Sequence, residues 1–517
     1  MSRSPEQRWR RARQYLAQGQ LAPARTQWEM LATEAPTRPA TLLLGAQIAW
    51  QENRIRDATR LALDAYRVVP DDPPLLREVI EALLQVGEIV AARDCIARLT
   101  SIAGETGEWL LPLADFSQRI GEHSASLALI EKAIARGAGG PVVEFHRGVQ
   151  LYFDGRIAQA EAALERSLRS DPANGRAAYT LSRLRTQRED RNHLQLLQDG
   201  LERVAKGSRE HAALEFARYE ELEDLGRFEE AWQALASANG IMRARNPYDV
   251  HTDVAFFDHL ITATGPDSVQ PAEVARTGPQ PIFVLGLARS GTTVLERMLG
   301  SHSEVESAGE RTDFGAQLQW VADTRNTHGA AYLEKLANLD HAELGSRYLA
   351  QTQWRARGKP YFIDKQPPNW EMAGLIHPAL PTAKILPLVR DPMDVCFSNW
   401  RAFFGDTYGY SYDLATLGAY HQAYRRVMAH WHELMPGAIL DVPYAELVND
   451  PETAMRKVFA FCGLAWEPAC IDMRRNSAPV ATLSAAQVRE PLHRNAFGEW
   501  RHYAVHLAPL QRVLEPA

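Results

Sequence analysis

The chain is poor in cysteine, carries no excess of positive charge and has no long apolar run, and each lack narrows what it does. Its four cysteines, Cys95, Cys396, Cys462 and Cys470, form no CxxC pair and no dense framework. That excludes a disulfide scaffold and a cysteine zinc site, and it points to a reducing compartment. No cluster with metal-ligand spacing is visible either, so no metal is expected. No stretch of about 18 apolar residues occurs, so no membrane span is expected. The opening Met1-Ser-Arg-Ser-Pro-Glu-Gln-Arg is charged where a secretory signal would be apolar, and the expected setting is the cytoplasm. A net charge of −7 has the wrong sign for coating nucleic acid, so any anion site has to be a local basic pocket. What is present is an ordinary apolar share of 45% over 517 residues, enough for several full cores.

The first half repeats. Gly19, Asn53, Gly87, Gly121 and Gly155 stand 34 residues apart, each in a short polar turn. Pro36, Pro70 and Pro172 share the same grid, and a small residue follows each turn by five positions: Ala24, Ala58, Ala92, Ser126 and Ala160. A glycine or asparagine ends a helix cheaply in the left-handed region. A small residue lets two helices cross closely, and a proline stops the second helix. Two looser units follow, near Glu189 and at Gly226 with Ala231. A helix–turn–helix unit of this period resembles the tetratricopeptide repeat, although the usual Trp and Tyr positions of that family are poorly kept. The resemblance implies a stacked solenoid with a concave face. That face is either a docking surface for a peptide or partner protein, the reading favoured here, or a scaffold that packs on the next domain. Pro and Gly breakers at Gly265-Pro266, Gln270-Pro271 and Gly278-Pro279 mark 246–280 as a linker, with 1–245 the repeat and 281–517 a second domain.

The second domain opens on an apolar run, Pro281–Gly286, that reads as a buried strand. A polar turn, Leu287-Ala-Arg-Ser-Gly-Thr-Thr293, and a segment of helical spacing from Val294 follow. Strand, glycine-bounded loop and helix aim backbone N–H groups and a helix N-terminus at an anion. The spacing Gly286-x4-Gly291 fits a nucleotide-triphosphate loop, but Thr292 stands where such a loop needs its lysine. Without that lysine ATP and GTP are disfavoured. Arg289 supplies charge instead, and a guanidinium suits phosphate or sulfate.

Arg-Ser-Gly-Thr-Thr after an apolar strand resembles the 5′-phosphosulfate loop of sulfotransferases that use 3′-phosphoadenosine 5′-phosphosulfate (PAPS). The nearest likeness is to the tyrosylprotein sulfotransferases and to bacterial sulfotransferases that carry tetratricopeptide repeats. Four further segments fit in the family's order. Ser307-Ala-Gly-Glu-Arg311 matches the segment that holds the general base, which makes Glu310 the candidate. Tyr361-Phe-Ile-Asp-Lys365 matches the segment whose lysine stabilises charge on the transferring group, a role that falls to Lys365 beside Arg289. A strand ending in Arg390-Asp-Pro, with Ser398 eight residues on, matches the element that holds the 3′-phosphate. Tyr444 matches a tyrosine near the nucleotide. The stretch from Thr482 to Pro491 resembles the loop that closes over the 3′-phosphate and adenosine. Ser484 matches a serine at its sulfate end, and Gln487 and Arg489 lie in the same loop. The chain departs from the family at Ala402, where tyrosylprotein enzymes have an arginine, with Arg401 one position earlier. It departs again at Glu499, where the family keeps a basic residue, with Arg501 close by.

The resemblance implies an α/β phosphate-loop domain with a central parallel sheet, following an α-helical solenoid. Arg289, Ser290, Gly291, Thr292, Thr293, Arg390, Ser398, Tyr444, Ser484, Gln487 and Arg489 are then the donor-binding residues. Glu310, Arg289, Lys365 and Ser484 carry the transfer. The acceptor expected first is a tyrosine hydroxyl of a peptide or protein docked with help of the repeats. A small-molecule or glycan hydroxyl is the alternative, and a nucleotide-binding interaction scaffold is a third reading.

Overall fold

The computed structural model of the chain describes residues 4–273, 277–326, 328–473, 476, 478–482 and 497–515. Antiparallel helix pairs fill the first half, beginning with Pro5–Ala17 and Leu21–Glu34 and continuing through Pro141–Asp154 and Ile157–Ser170. The turns between paired helices fall on the predicted grid. Gly19, Asn53, Gly87, Gly121 and Gly155 all have positive φ, from 62° to 88°. The small residues five positions on are all buried, with Ala24, Ala58, Ala92 and Ala160 at 0% exposure and Ser126 at 1%. A larger side chain at these crossings would overpack the interface by about 1–3 kcal/mol. Each pair buries only part of its apolar face, so the next pair has to cover the rest.

The repeat loosens after Ser170 and tightens again. Gly175–Ser182 and Leu194–Leu201 are short helices joined by a turn closed between Arg188 and Arg191. Arg209–Asp224 and Phe228–Arg245 restore a full pair around Gly226, whose φ is 71°. The segment 246–280 does more than tether. It contains a helix, Val250–Ala263, whose Phe256, Phe257 and Leu260 are buried. Phe257 meets Trp370 at 5.1 Å between ring centroids, and Arg426 pairs with Asp258 at 2.8 Å. Val250, Val254, Phe257 and Ile261 have helical spacing, a signal masked in the sequence by the flanking Pro and Gly residues.

The second half holds a five-stranded sheet in the order β2-β3-β1-β4-β5, built from β1 (Gln280–Leu285), β2 (Val305–Ser307), β3 (Tyr361–Lys365), β4 (Lys384–Val389) and β5 (Val442–Pro443). Every pairing is parallel. β1 is central and its last five residues are all buried, which explains its unbroken apolar run. Helices cover both faces, as parallel strands require. All five strands therefore end at one edge, and loops leaving that edge converge.

Successive repeat turns dock on the second domain. Asn53 donates through its amide to Thr324 at 3.0 Å and accepts from the Arg325 N–H at 2.6 Å. One repeat later, the Gly87 carbonyl accepts from Gln317 at 2.9 Å. Buried Glu88 beside it binds Arg347 and Gln351 at 2.5 and 2.8 Å. One repeat further, the Ile120 carbonyl accepts from Arg355 at 2.7 Å, and Arg311 lies so close to Gly121 that a Cβ there would meet its guanidinium at 2.5 Å. The same turns that end the helices are the feet on which the solenoid stands.

Candidate active site

The loop after β1 is built around two glycines. Gly286 has φ +136° and lies 2.9 Å, by its would-be Cβ, from the Leu388 carbonyl of the neighbouring strand. Gly291 has φ +109°, and a Cβ there would fall 2.4 Å from the Tyr444 ring. Between them Arg289 holds φ +65°, a left-handed conformation unusual for a side chain of its size. Asn399 fastens this bend by donating to the Ala288 carbonyl at 2.6 Å, and Arg390 donates to the Arg289 carbonyl at 3.1 Å. The helix Thr292–Leu299 starts at the end of the loop, so its free N–H groups face the same concavity. Thr292 and Thr293 are buried in its first turn.

The charges here suit an anion. Burial, and then the like charge of Arg183 and Arg401, push the Arg289 guanidinium down to about 10. Burial also lowers Arg390, whose guanidinium lies 5.0 Å over the Tyr444 ring. Both shifts record cations gathered in a place that offers little solvation, a cost that a bound phosphate or sulfate would offset. Buried Ser290 Oγ and Asn399 Oδ1 have no hydrogen-bond partner among the described residues. A donor group that both accepts from the loop N–H groups and reaches Ser290 Oγ fits that gap. Ser398 is buried on the helix Pro392–Trp400, which begins directly after Arg390 and Asp391.

Glu310 and Lys365 come from the neighbouring strand ends. β2 leads into the turn at Gly309, β3 ends on Lys365, and the Lys365 N–H bonds the Gly309 carbonyl at 3.1 Å. The Lys365 ammonium then reaches Glu310 Oε1 at 2.5 Å and Glu296 Oε2 at 3.4 Å. Its side chain is wholly buried, while that of Glu310 is 41% exposed. The carboxylate thus faces an opening and the ammonium backs it from within. Burial works against the charge on Lys365, but Glu310 and Glu296 outweigh it and raise its pKa. Glu296 was not singled out by sequence reasoning. The available signal was an acid on the loop helix among residues that are otherwise buried, and Ser307 holds its second oxygen.

A cavity of about 140 Å³ opens beside Glu310. Gly309, Arg311 and Thr482 line it from the second domain, and Gly121, Glu122 and His123 from a repeat turn. On another side Phe404 and Tyr408 meet edge-on at 4.8 Å, and burial followed by the Glu310 charge raises the Tyr408 hydroxyl. The two departures at Ala402 and Glu499 answer each other: Arg401 pairs with Glu499 at 2.5 Å and with Glu223 of the repeat at 3.1 Å. Ser484, Gln487 and Arg489 lie outside the described residues. Apart from this site, the fold gathers Glu161, Glu165 and His193 within 4.8 Å, a grouping the sequence did not suggest. There Arg185 pairs with Glu161 at 2.8 Å, and Glu221 holds His193 Nδ1 at 2.8 Å, so the group sits in a network of ion pairs.

Residues 281–468 match the model of the sulfotransferase family. An "Uncharacterized protein" of Aquifex aeolicus (strain VF5) is 32% identical over 337 residues, covering 62% of this chain and 44% of that protein. A "Protein-tyrosine sulfotransferase" of Drosophila melanogaster is 25% identical over 244 residues, covering 42% of this chain and 46% of that protein. The chain therefore spans under half the length of these two relatives. Among solved structures, the sulfotransferase domain of the Synechococcus PCC 7002 olefin synthase shares 19% identity at a TM-score of 0.29, covering 46% of this chain and 98% of that one. On one chain, a helical repeat with turns 34 residues apart precedes a parallel-sheet domain whose residues 281–468 match the sulfotransferase family model.

Proposed function

We propose that the second domain moves a sulfuryl group from PAPS to a hydroxyl. The observation that carries this reading is the pairing of Glu310 with Lys365 beside the Gly286–Thr293 loop. A phosphate loop alone binds an anion, whereas a half-exposed carboxylate backed by a buried cation also supplies proton acceptance and charge stabilisation. The N–H groups of the loop, with Ser290, Thr292 and Thr293, hold the 5′-phosphosulfate. Arg390 and Ser398 hold the 3′-phosphate. The acceptor oxygen attacks sulfur and its proton passes to Glu310. The bond from sulfur to the phosphate oxygen breaks in line, and adenosine 3′,5′-bisphosphate leaves with the bonding electrons. Arg289 and Lys365 neutralise charge on the sulfuryl oxygens and the leaving phosphate. The donor is already activated by its leaving group, so the step requires no metal.

The acceptor read here is a phenolic hydroxyl, a tyrosine of a peptide or protein. The edge-on aromatic pair Phe404 and Tyr408 near Glu310 supports it, as does the named activity of the Drosophila relative. The first helices of successive repeat pairs add a cavity of about 560 Å³ lined by Trp9, Arg13, Leu43, Trp50 and Arg77, which suits an extended chain. In this reading the repeat spans 1–245 and the transferase domain 281–517, with 246–280 between them. Glu310→Gln separates chemistry from binding. It should bind adenosine 3′,5′-bisphosphate as the wild type does and lose about 10²–10⁴ in turnover. Full turnover by this variant would end the base assignment.

A further inference from the structure

The last turn of the helix Pro392–Trp400 is held from two sides, by the phosphate loop and by the repeat. Asn399 donates to the Ala288 carbonyl at 2.6 Å, in the bend that leads into Arg289. The very next residue is tied to the repeat. The Trp400 carbonyl accepts from Asn239 at 3.2 Å, and the Trp400 ring stacks on Trp232 at 4.6 Å between centroids. Asn239 and Trp232 both lie on the repeat helix Phe228–Arg245. Arg401 then pairs with Glu223 at 3.1 Å, and the Phe403 N–H donates to the Tyr179 hydroxyl at 3.1 Å. Glu223 and Tyr179 come from the repeat helices Arg209–Asp224 and Gly175–Ser182. Asn239, Trp400, Phe403 and Tyr179 are all buried.

The last carbonyls of a helix have no partner within it, and at a buried end they need one from elsewhere. A glycine in the left-handed region often folds the chain back to provide it. Here the C-terminal cap is Arg401 at φ −84°, outside that region. The repeat supplies the donor instead, through the Asn239 amide. Buried Ser398 directly precedes the two clamped residues. Arg390, by contrast, stands just past the end of β4 and donates to the Arg289 carbonyl, so the sheet and the loop set its place. The separation of Ser398 from Arg390 therefore depends on where the repeat holds the far end of the helix.

We propose that Asn239 of the repeat is a positioning residue for the 3′-phosphate of the donor. By holding the end of the helix Pro392–Trp400 it fixes Ser398 relative to Arg390, and Glu223 assists through Arg401. The inference rests on the reading that Arg390 and Ser398 hold that phosphate. The last full helix pair of the repeat is then part of the donor site.

The test is calorimetry on the full chain with adenosine 3′,5′-bisphosphate and with adenosine 5′-phosphate, which lacks the group in question. Asn239→Leu removes the amide and keeps a branched side chain. It should weaken the bisphosphate about tenfold, the size of one hydrogen bond's net contribution. Adenosine 5′-phosphate should stay within about twofold, because the Asn399 clamp on the loop is untouched. A contact that served only stability would lower the unfolding midpoint and leave the preference between the two nucleotides as in wild type; that result overturns the inference. Should Asn239→Leu fail to fold, Glu223→Gln loosens the hold on Arg401 at constant shape and should shrink the same preference about threefold. An unchanged preference there also overturns the inference, while leaving the donor reading intact. A wild-type chain that binds the bisphosphate no better than adenosine 5′-phosphate overturns the reading of Arg390 and Ser398 itself, and the inference with it.

Discussion

Gly291 shows how a single residue fixes a site. Its φ of +109° is costly for any residue with a Cβ, and the space is filled by the Tyr444 ring at 2.4 Å. Gly291→Ala should destabilise the chain by about 1–3 kcal/mol and weaken binding of adenosine 3′,5′-bisphosphate, both readable from denaturant titrations with and without the nucleotide. A variant as stable as wild type would mean that the loop can relax. The spacing of Gly286 and Gly291 was legible in the sequence because loop chemistry is local. The partner of Gly291 was not, since Tyr444 lies far along the chain and only the fold brings it there. The same contrast holds for Lys365. Its charge and its place at a strand end could be read from residues, but Glu296 on the loop helix became visible as its second partner only in three dimensions.

At the scale of elements, the turn positions of the repeat were the most legible feature of the chain. A period of 34 and a residue tolerant of positive φ define each of them locally. Their second role was hidden, because nothing in Gly87-Glu88 announces that Arg347 and Gln351 will meet it. Glu88 is buried, so its removal takes the carboxylate from the Arg347 guanidinium and leaves it Gln317 as a neutral partner at 3.0 Å. Glu88→Ala should cost about 3 kcal/mol, measured as a shift in the unfolding midpoint, whereas an equivalent change at exposed Glu105 should cost little. Equal effects at the two sites would argue that the turn docking is incidental. The helix Val250–Ala263 marks the other limit of sequence reading. Its apolar spacing was present, but neighbouring Pro and Gly residues outweighed it, so the helix itself went unread.

For the molecule as a whole, the parallel sheet explains why distant segments meet. Every strand ends at one edge, so Gly286–Thr293, Glu310, Lys365 and Arg390 converge although they span over 100 residues of sequence. The fold also buries acids. Burial raises Asp364, which accepts from the Tyr348 hydroxyl at 2.8 Å, to about 7, and raises Glu371 to about 7. An acid with a raised folded-state pKa adds stability at pH values below its unfolded pKa and loses that contribution as pH climbs through the folded pKa. The melting temperature should therefore fall between about pH 4 and pH 7 on account of these two groups, from the ordinary carboxyl values of 3.8 and 4.5 upward. Glu371→Gln should flatten part of that slope in thermal melts taken across the range, and an unchanged slope would remove Glu371 from the account. The reaction itself is tested by transfer of radiolabelled sulfur from PAPS by the full chain, offered in parallel to a tyrosine peptide, a glycan and a simple phenol. Label should appear on a hydroxyl acceptor, most strongly the tyrosine peptide, with one adenosine 3′,5′-bisphosphate formed for each ester. No label on any of the three acceptors, with PAPS left intact or merely hydrolysed, would contradict it.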